Sequence, residues 1–329
     1  MIEWIEFKNF KALRDAKLPL SRFTLIVGAN GSGKSTALSG IFALEKVIDF
    51  SRTLAVGSSA HESITVRAKW AEQNNDYIIT HQQDQHRGQA PRFEPHGQNG
   101  LRREPRLALS RARLFSLDAN AIAQPVQLQP KLELAATGAN LSGVLDRIRD
   151  ENPERFEALN QELARWIPEF DKILFETPSP GHRAIALRTR EGKHTIKASD
   201  LSQGTLIALA LVTIAYLPEP PSIVCLEEPD HGLHPRLLRD VRDALYRLAY
   251  PEGSNENREP VQVIATTHNP YFLDLFREHP EEIVIAEKVG LEGKFSRLSD
   301  RNDLEEILGD APLSEVWYSG VLGGVPAGT

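Results

Sequence analysis

The stretch GANGSGKST, residues 28–36, constrains this chain more than any other. It fits the pattern G-x-x-x-x-G-K-[ST], and its surroundings fit as well. The apolar run FTLIVG leads into it as a predicted strand. The segment STALSGIFALEKVIDF leaves it with apolar Leu38, Ile41, Phe42 and Ile48 on one helical stripe. Glycines at 28, 31 and 33 let successive backbone N–H groups turn inward as an anion nest. The positive end of the following helix faces the same point. Such a loop is built for the phosphates of a nucleotide, and the expected binding set is Asn30, Gly31, Ser32, Gly33, Lys34, Ser35 and Thr36. Lys34 is expected to reach the β- and γ-phosphates, and the Ser35 hydroxyl to ligate Mg²⁺.

A second stretch needs a positive partner. In SIVCLEEP an apolar strand ends on two adjacent carboxylates, Glu227 and Glu228. Adjacent carboxylates repel, and removing either from water without compensation is costly. A nucleotide-bound Mg²⁺ supplies that compensation, and the carboxyl end of a strand is where open α/β sheets bind ligands. Neighbouring residues on a strand point to opposite sides, so the two acids can take different tasks. Glu227 is expected in the Mg²⁺ shell, and Glu228 as the group that polarises the attacking water. This is the form of a Walker B strand.

The third stretch is LSQGT, residues 201–205, directly before the apolar run LIALALVTIAY. A Ser hydroxyl and a Gly backbone at a helix start can grip a phosphate. Taken alone, the same letters describe an ordinary Ser-capped helix. Chain order decides between the two: phosphate loop, LSQGT, then the carboxylate strand.

In that order the chain resembles ATP-binding-cassette (ABC) proteins, and within them the RecF/OLD/SMC-like branch, in its small AAA-family group without long coiled coils. The opening IEFKNFKALRDAKLPLSRFTLIVGANGSGKST, then LSQGT, LEEPDHGLHP and TTHNPYFLD carry the resemblance, which covers most of the chain. The resemblance implies an α/β fold: an ABC-type P-loop ATPase head with a mostly parallel sheet, N-terminal antiparallel strands and a helical signature lobe. It implies one head over residues 1–329, with the lobe inserted at approximately 120–217, and ATP with Mg²⁺ as the cofactors. It also makes DHGLHP a D-loop and His268 a switch histidine on the γ-phosphate, catalytic alongside Glu228. Ser202 and Gly204 become the signature contacts that complete the site of a second copy. A homodimer through the nucleotide sites is therefore expected, with a higher assembly as an extension. Two details depart from the pattern or stay open. The usual Asp–Glu of Walker B is Glu227–Glu228 here, and the Q-loop glutamine falls among Gln124, Gln127 and Gln129.

The rest of the sequence sets the context. Strand and helix alternate through the last third, which implies a largely parallel sheet. ESITVRAKWAE and DYIITHQ read as a half-exposed hairpin, and LSGVLDRIRDENPERFEALNQELARWIPEF as two helices broken near Pro153. Residues 82–106, rich in Gln, Gly and Pro, read as a mobile loop. The tail LSEVWYSGVLGGVP is expected to pack as a short helix and loop, with no Toprim-type nuclease domain after EIVIA. The run at 206–217 is too short to span a bilayer and reads as a buried helix. The opening lacks a signal-peptide core, and Cys225 is the lone cysteine, so no membrane association and a cytoplasmic location are expected. A net charge of −7 argues against a surface coated for nucleic acid, although direct DNA contact through a local patch stays open. The arginines of LRREPRLALSRAR read first as a solvated face. His81, His86 and His96 lack the companions of a zinc site, and Trp166 and Phe170 read as packing residues.

The expected function is Mg²⁺-dependent ATP hydrolysis coupled to head dimerisation, as motor or sensor subunit of a bacterial anti-phage defence complex with a separate nuclease or toxin. One rival is a RecF-like DNA-repair or chromosome-maintenance ATPase that binds DNA directly. The other is a nucleotide-locked scaffold with little turnover. Salt-dependent DNA binding separates the first rival, and steady-state turnover the second.

Overall fold

The computed structural model describes residues 1–44, 64–72, 75–84, 87–88, 92–96, 104–130, 132–254, 256–290 and 292–325. The chain opens with β1 (Ile2–Phe10), β2 (Leu13–Pro19), β3 (Phe23–Val27) and α1 (Lys34–Ala43). It continues through β4 (Ile64–Glu72), β5 (Asn75–Asp84), β6 (Arg87–Gly88), β7 (Arg92–His96), α2 (Glu104–Ser110) and β8 (Ala112–Phe115). Next come α3 (Ala119–Ile122), β9 (Val126–Gln127), α4 (Leu141–Glu151), α5 (Pro153–Trp166), β10 (Phe170–Glu176), β11 (His182–Thr189) and β12 (Thr195–Lys197). The last part holds α6 (Gln203–Ala215), β13 (Ile223–Glu227), α7 (Leu238–Ala249), β14 (Gln262–Thr267) and α8 (Pro270–Asp274). It ends with β15 (Ile283–Val289), β16 (Glu292–Arg297), α9 (Leu304–Leu308) and α10 (Leu313–Tyr318).

Two compact units result, the first from Met1–Ala112, Pro221–Cys225 and Pro260–Thr329. The sheet that holds β3 has the order β16-β15-β3-β14-β13-β8. β3 runs parallel to both β14 and β15, and all five of its residues are buried. A strand covered on both faces has no solvent side to alternate towards, which is why FTLIV and QVIATT show no alternation. Phe23 of β3 stacks on Phe276, whose ring meets Phe272 edge-on, at centroid distances of 5.2 and 5.3 Å. Each buried ring of this kind contributes about 2–3 kcal/mol. A second, antiparallel sheet runs β2-β1-β4-β5-β6, with β7 also on β5. Gln262, at the start of β14, joins the two sheets by donating to the Ile2 and Ser21 carbonyls and accepting from the Ile2 N–H. Helix α1 crosses β1 at Gly40, where an added Cβ would stand 2.2 Å from the Phe7 ring.

The second unit comprises Arg113–Pro220 and Leu226–Glu259. Its helix α6 is buried on every side from Thr205 to Ala215, as an all-apolar helix must be. Pro153 occupies the first turn of α5 and sets the break after α4, where its missing N–H is not needed. At the end of α6 the Tyr216 carbonyl accepts from Arg155, and the Tyr216 ring carries Arg247 at 4.2 Å. Glu256 pairs with Arg155, Arg247 and Arg258 and ties these segments together.

One expectation changes. Within the stretch expected as a mobile loop, residues 82–106, Arg87–Gly88 and Arg92–His96 are strands that pair with β5. Backbone pairing to an open edge requires no apolar alternation, so composition gave no sign of it. The neighbouring residues 85–86, 89–91 and 97–103 lie outside the described residues, as does Ile48 of the expected helical stripe. Among the described residues no helix is long and apolar enough to cross a membrane.

Candidate nucleotide-binding site

The phosphate loop leaves the end of β3 and becomes α1 within six residues, 28–33. Its glycines have separate reasons. Gly28 passes so close to β15 that a Cβ would lie 2.1 Å from the Ala286 carbonyl oxygen. Gly31 and Gly33 hold left-handed backbone, with φ of 78° and 98°, which side chains resist. Gly33 also faces the Leu13 side chain at 2.8 Å from its missing Cβ. Asn30, Gly31 and Ser35 are exposed, and Thr36 is half-buried.

Lys34 is only 7% exposed, and its ammonium donates to the Gly28 carbonyl at 2.6 Å and the Ala29 carbonyl at 3.0 Å. The ammonium is thus held at the loop by neutral acceptors that a phosphate can replace. The Ser32 hydroxyl is 1% exposed and has no hydrogen-bond partner among the described residues. A buried hydroxyl without a partner costs free energy until something bonds to it. Left-handed glycines, a buried ammonium on replaceable acceptors and an orphaned hydroxyl together fit a polyphosphate.

His268 belongs to the same unit. The parallel register sets Thr267 opposite Val27, so His268 follows β14 as Gly28 follows β3. It is exposed there, and Asn269 next to it caps α8 by accepting from Tyr271 N–H.

The other expected residues lie in the second unit. Glu227 ends β13, and Glu228 follows with φ of 44°, one of four non-glycine residues of positive φ among the described residues. Its carbonyl accepts from His231 N–H at 2.9 Å, closing the turn into DHGLHP. Left-handed backbone at a residue preceding proline is doubly disfavoured, and such strain gathers at functional sites. Ser202 caps α6 by accepting from Thr205 N–H at 3.1 Å, and it shares a 2.8 Å bond with the Thr205 hydroxyl. Gly204 has a packing reason of its own, because a Cβ would lie 2.9 Å from the Gly232 carbonyl oxygen. The start of α6 and the DHGLHP turn therefore meet backbone to backbone. Gln124, Gln127 and Gln129 are all exposed, and their positions select none of them. After the DHGLHP turn the chain enters α7 through a 3-10 turn, Pro235–Leu237, capped by the His234 ring.

Comparison with known proteins agrees with this geometry. A family model described as "AAA domain, putative AbiEii toxin, Type IV TA system" matches residues 23–274. The chain belongs to that family. The matched range contains every candidate site residue named above. Within the curated proteins, this AAA-family chain is 25% identical to an OLD nuclease of Thermus scotoductus over 84% of its own length. It spans 60% of the length of that relative. Solved SMC heads share its fold. The Smc head with an extended coiled coil, bound to the C-terminal domain of ScpA and derived from Pyrococcus furiosus, gives a TM-score of 0.61 at 18% identity. That match covers 93% of this chain and 99% of the other. The SMC head of Thermotoga maritima gives 0.51 at 18% identity, over 90% and 98%. The fold is that of an ABC-type ATPase head, as the motifs implied.

Proposed function

We propose that the protein is a Mg²⁺-dependent ATPase whose turnover is coupled to head-to-head dimerisation. In this reading it is the cytoplasmic motor or sensor subunit of a bacterial anti-phage defence system with a separate nuclease or toxin. The observation that carries the ATPase reading is the phosphate loop, with Lys34 resting on two loop carbonyls and the buried Ser32 hydroxyl without a partner among the described residues.

Residues 30–36 hold the phosphates of ATP, and Lys34 exchanges its carbonyl acceptors for phosphate oxygens. Ser35 and Glu227 are the residues that would hold Mg²⁺, which would supply neutralisation of phosphate charge. Glu228 orients the attacking water and draws on its proton, and its strained backbone fixes where the carboxylate stands. His268 contacts the γ-phosphate from the end of β14. Ser202 and Gly204 complete the site of a second copy of the chain. The whole of 1–329 is then one head, with the signature lobe near 120–217 inserted in it. The defence setting draws on the family description, which names a toxin of a toxin–antitoxin system, and on the OLD nuclease relative.

Phosphate release by the wild type, Lys34→Ala and Glu228→Gln proteins tests the enzymatic part. Lys34→Ala should lose nucleotide binding, whereas Glu228→Gln should bind ATP and hydrolyse it about 10² times more slowly or worse. A wild-type protein that neither binds Mg-ATP nor releases phosphate would sink the reading. Co-purification from the native host, followed by nuclease and toxicity assays, tests the effector partner. Full defence activity from this chain alone would end that part of the proposal.

A further inference from the structure

We propose that Gly324, in the segment after α10, is a positioning residue for the phosphate loop and acts through the Gly28–Ala29 peptide on Lys34. The inference rests on the nucleotide-site reading above and adds to it an element from outside the three sequence motifs. After Tyr318 the chain turns through Gly320, Gly323 and Gly324, with φ of 80°, 77° and 70°. Leu322, 4% exposed, anchors the turn. The Gly324 carbonyl then accepts from the Ala29 N–H at 2.6 Å.

That bond falls on a particular peptide. The unit joining Gly28 to Ala29 offers one N–H and one carbonyl; the N–H goes to Gly324 and the carbonyl accepts from the Lys34 ammonium. A peptide that donates at one end becomes a stronger acceptor at the other, because the two bonds polarise it in the same sense. The series Gly324 carbonyl, Gly28–Ala29 peptide, Lys34 ammonium therefore fixes the loop before any phosphate arrives. When Lys34 turns to a phosphate, Gly324 still holds the peptide plane, and the loop keeps its shape. That is preorganisation, and it improves affinity by cutting the ordering cost of binding.

The packing leaves room for nothing but glycine. A Cβ on Gly324 would stand 2.9 Å from Ile285 Cγ2, 3.2 Å from the Ala286 oxygen and 3.4 Å from Gly28 Cα. The missing Cβ of Gly28 faces the same Ala286 oxygen. Three backbone segments, the loop, β15 and the tail, thus meet without an intervening side chain.

Gly324→Val in the full chain should lift this segment, since valine resists left-handed backbone and has no room for its Cβ. Three results are expected. In nucleotide-free protein, hydrogen exchange at the Ala29 amide should accelerate, with protection of β3 and β14 retained. Binding of a fluorescent ATP analogue with Mg²⁺ should weaken about tenfold, the scale of one lost hydrogen bond. KM for ATP should rise by a similar factor while kcat at saturation changes by less than about twofold, because the chemistry does not use Gly324. Gly309→Val is the control, with φ of 43° and nothing within 4 Å of an added Cβ. It should lower the melting temperature without moving nucleotide affinity. If Gly324→Val does not fold, Gly324→Ala, with its smaller clash, should show the same exchange and affinity changes in weaker form. Wild-type affinity in a Gly324 variant whose Ala29 amide exchanges fast would overturn the proposal. A parallel fall of kcat and affinity would overturn it too. A wild-type protein that binds no nucleotide removes the underlying reading instead, so the two failures are distinguishable.

Discussion

Glu228 combines a carboxylate expected to work on water with a backbone that resists its own conformation. Its φ of 44° is left-handed, and Pro229 follows it. A non-glycine residue in this region costs about 1–2 kcal/mol, and a following proline disfavours it further. Glycine removes that cost but returns about 0.5–1 kcal/mol through the greater freedom of the unfolded chain. The balance favours Glu228→Gly by about 0.5–1 kcal/mol over Glu228→Gln, which keeps the strain. For a protein of this size that is a rise in melting temperature of about 1–3 °C. Both variants lack the carboxylate, so both should hydrolyse ATP about 10² times more slowly or worse. Differential scanning calorimetry of nucleotide-free protein, beside a phosphate-release assay, reads the two effects separately. A glycine variant less stable than the glutamine variant would refute the strain argument. Wild-type hydrolysis in either would refute the catalytic one.

Gln262→Leu keeps the volume but strands the Ile2 N–H and carbonyl and the Ser21 carbonyl. The expected loss is about 3 kcal/mol, seen as a lower urea midpoint at unchanged slope. Glu256 supplies a pH dependence. Burial pushes its carboxyl up, but the hydrogen bond from Arg258 and the charge of Arg247 outweigh this and hold it below the ordinary glutamate value. A carboxyl lowered on folding stabilises the fold above its unfolded value, and that contribution fades as pH falls through the lowered one. Glu256→Gln should therefore lower the melting temperature at neutral pH, and its difference from wild type should shrink as an acid series passes down through the lowered carboxyl value.

Much of the fold is legible because its strongest signals are local. FTLIV and VQVIATT announce buried parallel strands by the lack of alternation, and Pro153 announces a helix start through its own ring. GANGSGKST carries its conformation in its glycines. The strands at 87–88 and 92–96 are not legible, because a free edge on β5 supplies their hydrogen bonds whatever their side chains are. The left-handed backbone of Glu228 is illegible for the opposite reason: a residue before proline reads as extended, and tertiary structure overrides that rule. The sequence marks Gly204 as a phosphate contact, while its close approach to the Gly232 carbonyl depends on a turn many residues away. The Gly324 contact had one local sign, the glycines of SGVLGG. Their left-handed backbone marks a forced path but does not say what lies beside it.

The central claim is that this chain hydrolyses Mg-ATP in a site completed by a second copy. Phosphate release per chain, measured over a wide range of protein concentration at saturating Mg-ATP, tests it most directly. Turnover should climb with concentration to a plateau and be absent in Lys34→Ala and in Ser202→Arg. An equimolar mixture of those two inactive variants should recover a fraction of it, because a mixed pair holds one intact loop facing one intact signature. Turnover per chain that is the same at every concentration, with no recovery on mixing, would contradict the shared site.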